Sequence, residues 1–191
     1  MTIIRSFIAV ELKNKESIKL IENFTLRLKT NQKKINVVKP ENLHMTIKFL
    51  GDITEVQAPK IYKIVKEVND KYLNDKTIQY RLMGVGQFNK YSVIWVRLKG
   101  DVQFMQNIKD TIENRLYKEL NIERDTKKKF KAHLTIARLN KKRIDYKTMG
   151  TFKKILEEKK SDDFGIFNVS AIKLKKSELT PQGPIYTDLM Y

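Results

Sequence analysis

His44-Met45-Thr46-Ile47 and His133-Leu134-Thr135-Ile136 are the two stretches that decide how this chain is read. They contain the only two histidines among its 191 residues, and each histidine has Thr two positions on and Ile three positions on. Side chains on a strand alternate between faces, so His44 and Thr46 point one way while Met45 and Ile47 point the other. The same holds for His133 and Thr135 against Leu134 and Ile136. Each strand would bury its apolar pair and present an imidazole and a hydroxyl on the opposite face. Two such strands facing each other would bring both polar pairs onto one ligand.

Working outward, the surrounding text repeats. Ser6-Phe7-Ile8-Ala9-Val10-Glu11-Leu12 is similar to Ser92-Val93-Ile94-Trp95-Val96-Arg97-Leu98, and each run is followed by a long helical pattern, a basic loop and then a His-x-Thr-Ile strand. The halves therefore read as two similar lobes related by a pseudo-twofold axis. Strands are expected at Ile3–Leu12, His44–Leu50, Thr77–Phe88, Tyr91–Leu98, His133–Leu139, Phe164–Lys175 and Ile185–Met190. Amphipathic helices are expected at 15–29, 54–72, 101–120, with Asp101 as N-cap, and 146–159.

Composition bounds the answer. Apolar residues make up 41% and charged residues 32%, too apolar for a disordered chain and too polar for a membrane protein. No apolar run approaches the roughly 20 residues that span a bilayer. The absence of cysteine excludes disulfide scaffolds, thiolate metal sites and Cys nucleophiles, and makes the cytoplasm the expected compartment. Lys and Arg number 39 against 22 Asp and Glu, a formal net charge of +17. Clusters such as Lys127-Lys128-Lys129 with Lys131, and Lys141-Lys142-Arg143, fit either solvated surface or attraction to nucleic acid.

Two facing imidazoles suit proton transfer at both ends of an in-line displacement. An unperturbed histidine titrates near pH 6.5, so one ring can accept a proton while the other donates. Phosphodiester cleavage fits, because attacking and leaving oxygens lie on opposite sides of phosphorus. The threonine hydroxyls can donate to the non-bridging oxygens. Neither motif carries a carboxylate, so metal-independent chemistry is favoured, with no cofactor. The residues alone leave the two histidine roles interchangeable.

These motifs resemble the paired H-x-T-x signature of the 2H phosphoesterase superfamily. Arg5–Val10, Pro40–Asp52, Phe130–Arg138 and Ser177–Tyr186 resemble its RNA 2′,3′-cyclic phosphodiesterase branch, historically named 2′-5′ RNA ligase. The resemblance runs from the first strand to the last and implies a single domain over 1–191. It implies a bilobal α+β fold, with two antiparallel sheets lining a central cleft and helices outside. It also implies hydrolysis of an RNA terminal 2′,3′-cyclic phosphate to a 2′-phosphomonoester. His44 would be the proton donor and His133 the proton acceptor, with Thr46, Thr135 and Arg138 binding substrate. Strict alternation points Arg138 away from His133, so its role requires a bulge. Phe7 and Tyr186 are candidate base-stacking aromatics, Phe7 being better suited to the core. RNA ends, tRNA fragments among them, are the implied partners of a monomer. The alternatives are 2′-5′ ligation in the same cleft, action on small cyclic or 2′-5′-linked nucleotides, and a basic RNA-binding module without catalysis.

Overall fold

A computed structural model describes residues 2–126 and 129–191. Nine strands and four helices are present among them: β1 (Ile3–Glu11), α1 (Lys15–Asn31), β2 (Asn36–Val37), β3 (His44–Thr54), α2 (Gln57–Tyr72), β4 (Ile78–Phe88), β5 (Val93–Lys99), α3 (Val102–Leu120), β6 (His133–Arg138), α4 (Met149–Glu158), β7 (Asp163–Val169), β8 (Lys173–Thr180) and β9 (Gly183–Asp188). The strands form two sheets, a four-stranded one in the order β3-β1-β8-β9 and a five-stranded one in the order β2-β6-β5-β4-β7. Every pairing is antiparallel. The fold is α+β, as expected from the sequence.

Two of the four helix starts carry a side-chain cap. Asn14 accepts from the Ser17 amide at 2.9 Å to cap α1, and Asp101 accepts from the Phe104 amide at 2.9 Å to cap α3, where the sequence places the cap. α3 stops at Asn121, whose left-handed backbone (φ 54°) frees it to close the helix end. The helices then cross over. α1 packs on β6, β7 and α4, beneath the five-stranded sheet, and α3 packs on β3 and α2, beneath the four-stranded one. The Ser17 hydroxyl fastens α1 to β7 by donating to the Ile166 carbonyl and accepting its amide, at 2.9 and 2.8 Å. Each sheet is thus backed by one helix from its own motif segment and one borrowed across the molecule.

β2 is not expected from the sequence, β9 lies two residues earlier than the expected Ile185–Met190, and two further differences are larger. The run 164–175 is two strands in different sheets, β7 and β8. The chain leaves the five-stranded sheet after Val169 and enters the other at Lys173, turning where the Asn69 side chain bonds both the amide and the carbonyl of Ile172 at 2.8 Å. β3 does not end at Gly51 but runs on to Thr54. Gly51, at φ 71°, takes up a bulge opposite Ser6 that an L side chain would strain. Buried aliphatic and aromatic side chains of both sheets form one continuous core, among them Ile8, Met45, Leu82, Val96, Leu134 and Phe167.

Candidate active site

Both motif histidines open their strands, His44 on β3 and His133 on β6, and these two strands approach each other across the gap between the sheets. The local geometry is the same at both. His44 Nδ1 lies 2.7 Å from the Asn42 carbonyl, and His133 Nδ1 lies 2.6 Å from the Lys131 carbonyl. A carbonyl can only accept, so Nδ1 carries the proton in each ring and Nε2 is left to act on a ligand. The Asn42 side chain in turn donates to the Pro184 carbonyl at 2.8 Å, tying the His44 turn to the start of β9.

The register of the strands decides what shares a face with each ring. In β6, Thr135 pairs with Trp95 and Ala137 with Ile94, so Ile136 is an extra residue, and both it and Ala137 face the core. That bulge inverts the alternation beyond it and returns Arg138 to the face of His133 and Thr135. β3 does the same: Thr46 pairs with Ala9 and Lys48 with Ile8, leaving Ile47 as the extra residue. Phe49, 68% exposed, therefore occupies beside His44 the position that Arg138 occupies beside His133. The His44 face is built from His44, Thr46 and Phe49 on β3, Phe7 and Glu11 on β1, Lys175 on β8 and Tyr186 on β9. The His133 face is built from His133, Thr135 and Arg138 on β6, Val93, Trp95 and Arg97 on β5, and Gly86 and Phe88 on β4. Neither Thr46 nor Thr135 has its hydroxyl engaged among the described residues.

Aromatic rings brace each imidazole. Phe7 and Tyr186 stand 4.9 and 5.3 Å from the His44 ring, and Phe88 and Trp95 stand 5.1 and 6.2 Å from the His133 ring. Phe7 is buried, a support for His44 and not an open platform, while Tyr186 is half-buried. Burial lowers the pKa of both histidines, against the upward pull of their carbonyl bonds. The Arg138 charge pushes both further down, which places one guanidinium within electrostatic reach of both rings. The other charges differ. His44 feels Lys175 (lowering) and Glu11 (raising), whereas His133 feels Lys131 (lowering) and no carboxylate.

The signal for Phe49 lay in the motif itself, five residues after His44 as Arg138 is five after His133. Nothing in the sequence marked Trp95, Phe88 or the group formed by Glu11, Lys173, Lys175 and Asp188, which depends on strand order. Lys175 is buried there, bonded to Glu11 and Asp188. In the basic loop, Lys129 and Lys131 are exposed, and Lys127 and Lys128 lie outside the described residues. Among the described residues no group of three potential metal-ligating side chains occurs, and no helix is long and apolar enough to cross a membrane. Two shallow depressions along α1 and β7, lined by Leu20, Phe24 and Asp163 among others, are remote from both histidines.

Residues 6–187 match the family model described as "AKAP7 2'5' RNA ligase-like domain". An Archaeoglobus fulgidus protein named RNA 2′,3′-cyclic phosphodiesterase is 32% identical over 190 residues, 97% of each chain. A Methanocaldococcus jannaschii protein of the same name is 34% identical over 190 residues, 95% of this chain and 96% of its own. In structure the chain is similar to Escherichia coli LigT in apo form, with a TM-score of 0.70, 16% identity and coverage of 100% of this chain and 96% of that one. LigT complexed with 3′-AMP is similar at a TM-score of 0.62, with 16% identity and the same coverage.

Proposed function

The chain belongs to the 2′-5′ RNA ligase-like family of 2H phosphoesterases, and from that premise we propose that it is an enzyme hydrolysing the 2′,3′-cyclic phosphate at RNA ends to a 2′-phosphomonoester. The observation that carries this reading is the duplicated constellation: two imidazoles with identical carbonyl tethers, each with a free threonine hydroxyl beside it, within reach of one arginine. Such an arrangement supplies an acid, a base and oxyanion donors without a metal.

In the reaction, His133 Nε2 takes a proton from water as the water oxygen attacks phosphorus. The bond from phosphorus to the 3′ oxygen breaks, and that oxygen takes its proton from His44 Nε2. The phosphate stays on the 2′ oxygen. Thr46, Thr135 and Arg138 hold the non-bridging oxygens, where negative charge accumulates. The role assignment draws support from the charge around each ring. Burial and the charges of Arg138 and Lys131 all favour the neutral form of His133, the form a base needs. His44 has Glu11 to favour its protonated form. Phe49, exposed on the His44 side, is placed to stack on the terminal base, a sequence-tolerant contact. The enzyme acts as a monomer in the cytoplasm, tRNA fragments among its substrates. The same in-line geometry admits 2′-5′ ligation, with a 5′-hydroxyl in place of water.

Incubation with an oligonucleotide ending in a 2′,3′-cyclic phosphate, followed by identification of the terminus, tests the reading. A 2′-phosphate is expected, in excess EDTA as well as without it. His44→Ala and His133→Ala should each lower kcat by at least about a hundredfold, the usual contribution of a positioned acid or base. Full activity in both variants, or a 3′-phosphate product, would overturn the assignment.

A further inference from the structure

The two faces of the cleft treat their cations differently. On the four-stranded sheet Lys173 and Lys175 are both paired with Glu11 and Asp188, and Arg5 at the outer end stands in register opposite Asp52 on β3. On the five-stranded sheet the opposite holds. Arg97 pairs in register with His133, and Lys99 follows it two residues further along the same face of β5. Both are exposed, and among the described residues neither has a carboxylate within ion-pair distance. Lys131, exposed beside them, has only the Phe88 ring under its ammonium, 5.7 Å away. Lys99 also stands directly opposite Arg81 on β4, a like-charge pair that a sheet ordinarily avoids. Among the described residues only Asp163 forms an ion pair with a member of this group, and it bonds Arg81. Four cations against one carboxylate, on the rim where His133 stands, form a surface that repels itself until an anion arrives.

Resting on the function proposed above, we propose that Arg97, Lys99 and Lys131 form a track for the single-stranded RNA backbone upstream of the terminal nucleotide, so that an RNA strand binds more tightly than a mononucleotide bearing the same terminus. The strand carries the spacing. Residues two apart on one face of β5 are about 6.8 Å apart, comparable with successive phosphates of an extended strand. Phe88, leaning on Trp95 at 5.1 Å, adds an aromatic edge beside that track.

The test compares a nucleoside 2′,3′-cyclic monophosphate with a short oligonucleotide bearing the same terminus, using wild type, Lys99→Glu, and Lys60→Glu/Lys66→Glu on the exposed face of α2 as a charge-reversal control. The track variant should raise KM for the oligonucleotide about fivefold with kcat unchanged, and leave mononucleotide turnover as in wild type. Anisotropy of a labelled oligonucleotide ending in a 2′-phosphate, titrated with salt, should lose about 0.7 from its log–log slope, one single-strand phosphate contact's worth, in the track variant alone. An equal effect of the control pair, or an unchanged slope in the track variant, overturns the proposal. If wild type hydrolyses neither substrate, the catalytic reading fails by itself, and the anisotropy slopes still decide the track.

Discussion

Arg138 acts electrostatically on both imidazoles, besides the phosphate contact proposed for it. Both imidazoles are pushed below the ordinary histidine value, first by burial; the charges of Lys175 and then Arg138 add to this at His44, and those of Arg138 and then Lys131 at His133. An acid–base pair is competent only when one ring is protonated and the other is not, and kcat/KM reports the pKa values of the free enzyme. With both values below 6.5, the bell of kcat/KM against pH should have its maximum below pH 6.5. Arg138→Ala removes one depressing charge from each ring, so both limbs should move to higher pH. The height of the bell should fall about a hundredfold, as when one oxyanion donor is lost. A variant that lost height without moving its limbs would show Arg138 acting on phosphate alone. Titrating the two imidazoles by NMR in both proteins would measure the displacement directly.

At the scale of single elements, the bulges at Ile47 and Ile136 decide which residues share a face with each histidine. Each motif gives the chain one extra residue past its threonine, so that Phe49 and Arg138 rejoin the cleft face. Strict alternation read from the sequence put Arg138 on the wrong side, and only the partner strand's register shows otherwise. The same limit explains what else was legible. Strands, helices and both histidine pairs follow from period and motif, which are local. Trp95 as a brace for His133 depends on β5 pairing with β6, Phe88 as another depends on β4 lying beyond β5, and the break of 164–175 depends on which sheet edge stood open. Neither is local information. Gly86 shows how tightly that brace is fitted: a Cβ there would stand 2.2 Å from the Trp95 ring. Gly86→Ala should therefore cost about 1–3 kcal/mol as an overpacked site, and lower Tm by about 3–10 °C. Because Trp95 and Phe88 both contact His133, kcat should fall about tenfold as well. Gly150→Ala is the matched comparison, since its Cβ meets nothing within 4 Å in the first turn of α4. That substitution should leave activity intact and add up to about 1 kcal/mol of stability. Equal effects of the two would remove Trp95 from the account of the site.

The molecule as a whole carries a large positive charge whose buried part is neutralised by a few carboxylates. Lys48 and Lys109, both buried, share Glu113 and Asp125, fastening β3 to α3 and to the segment after it. Lys173 and Lys175 share Glu11 and Asp188, joining β1, β8 and β9 behind His44. Burial alone would raise Glu11, Asp125 and Asp188, but hydrogen bonds from these lysines outweigh it and hold all three below their ordinary values of 4.5, 3.8 and 3.8. A carboxylate depressed on folding contributes stability that is present above its unfolded pKa and lost as the pH falls through its folded one. The histidines act in the same direction in a higher window. Their folded values lie below 6.5, so the unfolded chain binds more protons as the pH drops past 6.5, and stability declines there first. Acid should therefore lower Tm in two stages, one beginning near pH 6.5 and a second, larger one below about pH 4.5, where a chain of formal charge +17 also loses its compensating carboxylates. His44→Asn/His133→Asn should abolish the first stage and keep the second, as read by calorimetry across the pH series. A first stage that persisted without either imidazole would mean that the two rings are not buried as neutral groups, and the depressed pKa values behind the acidic optimum would fall with it.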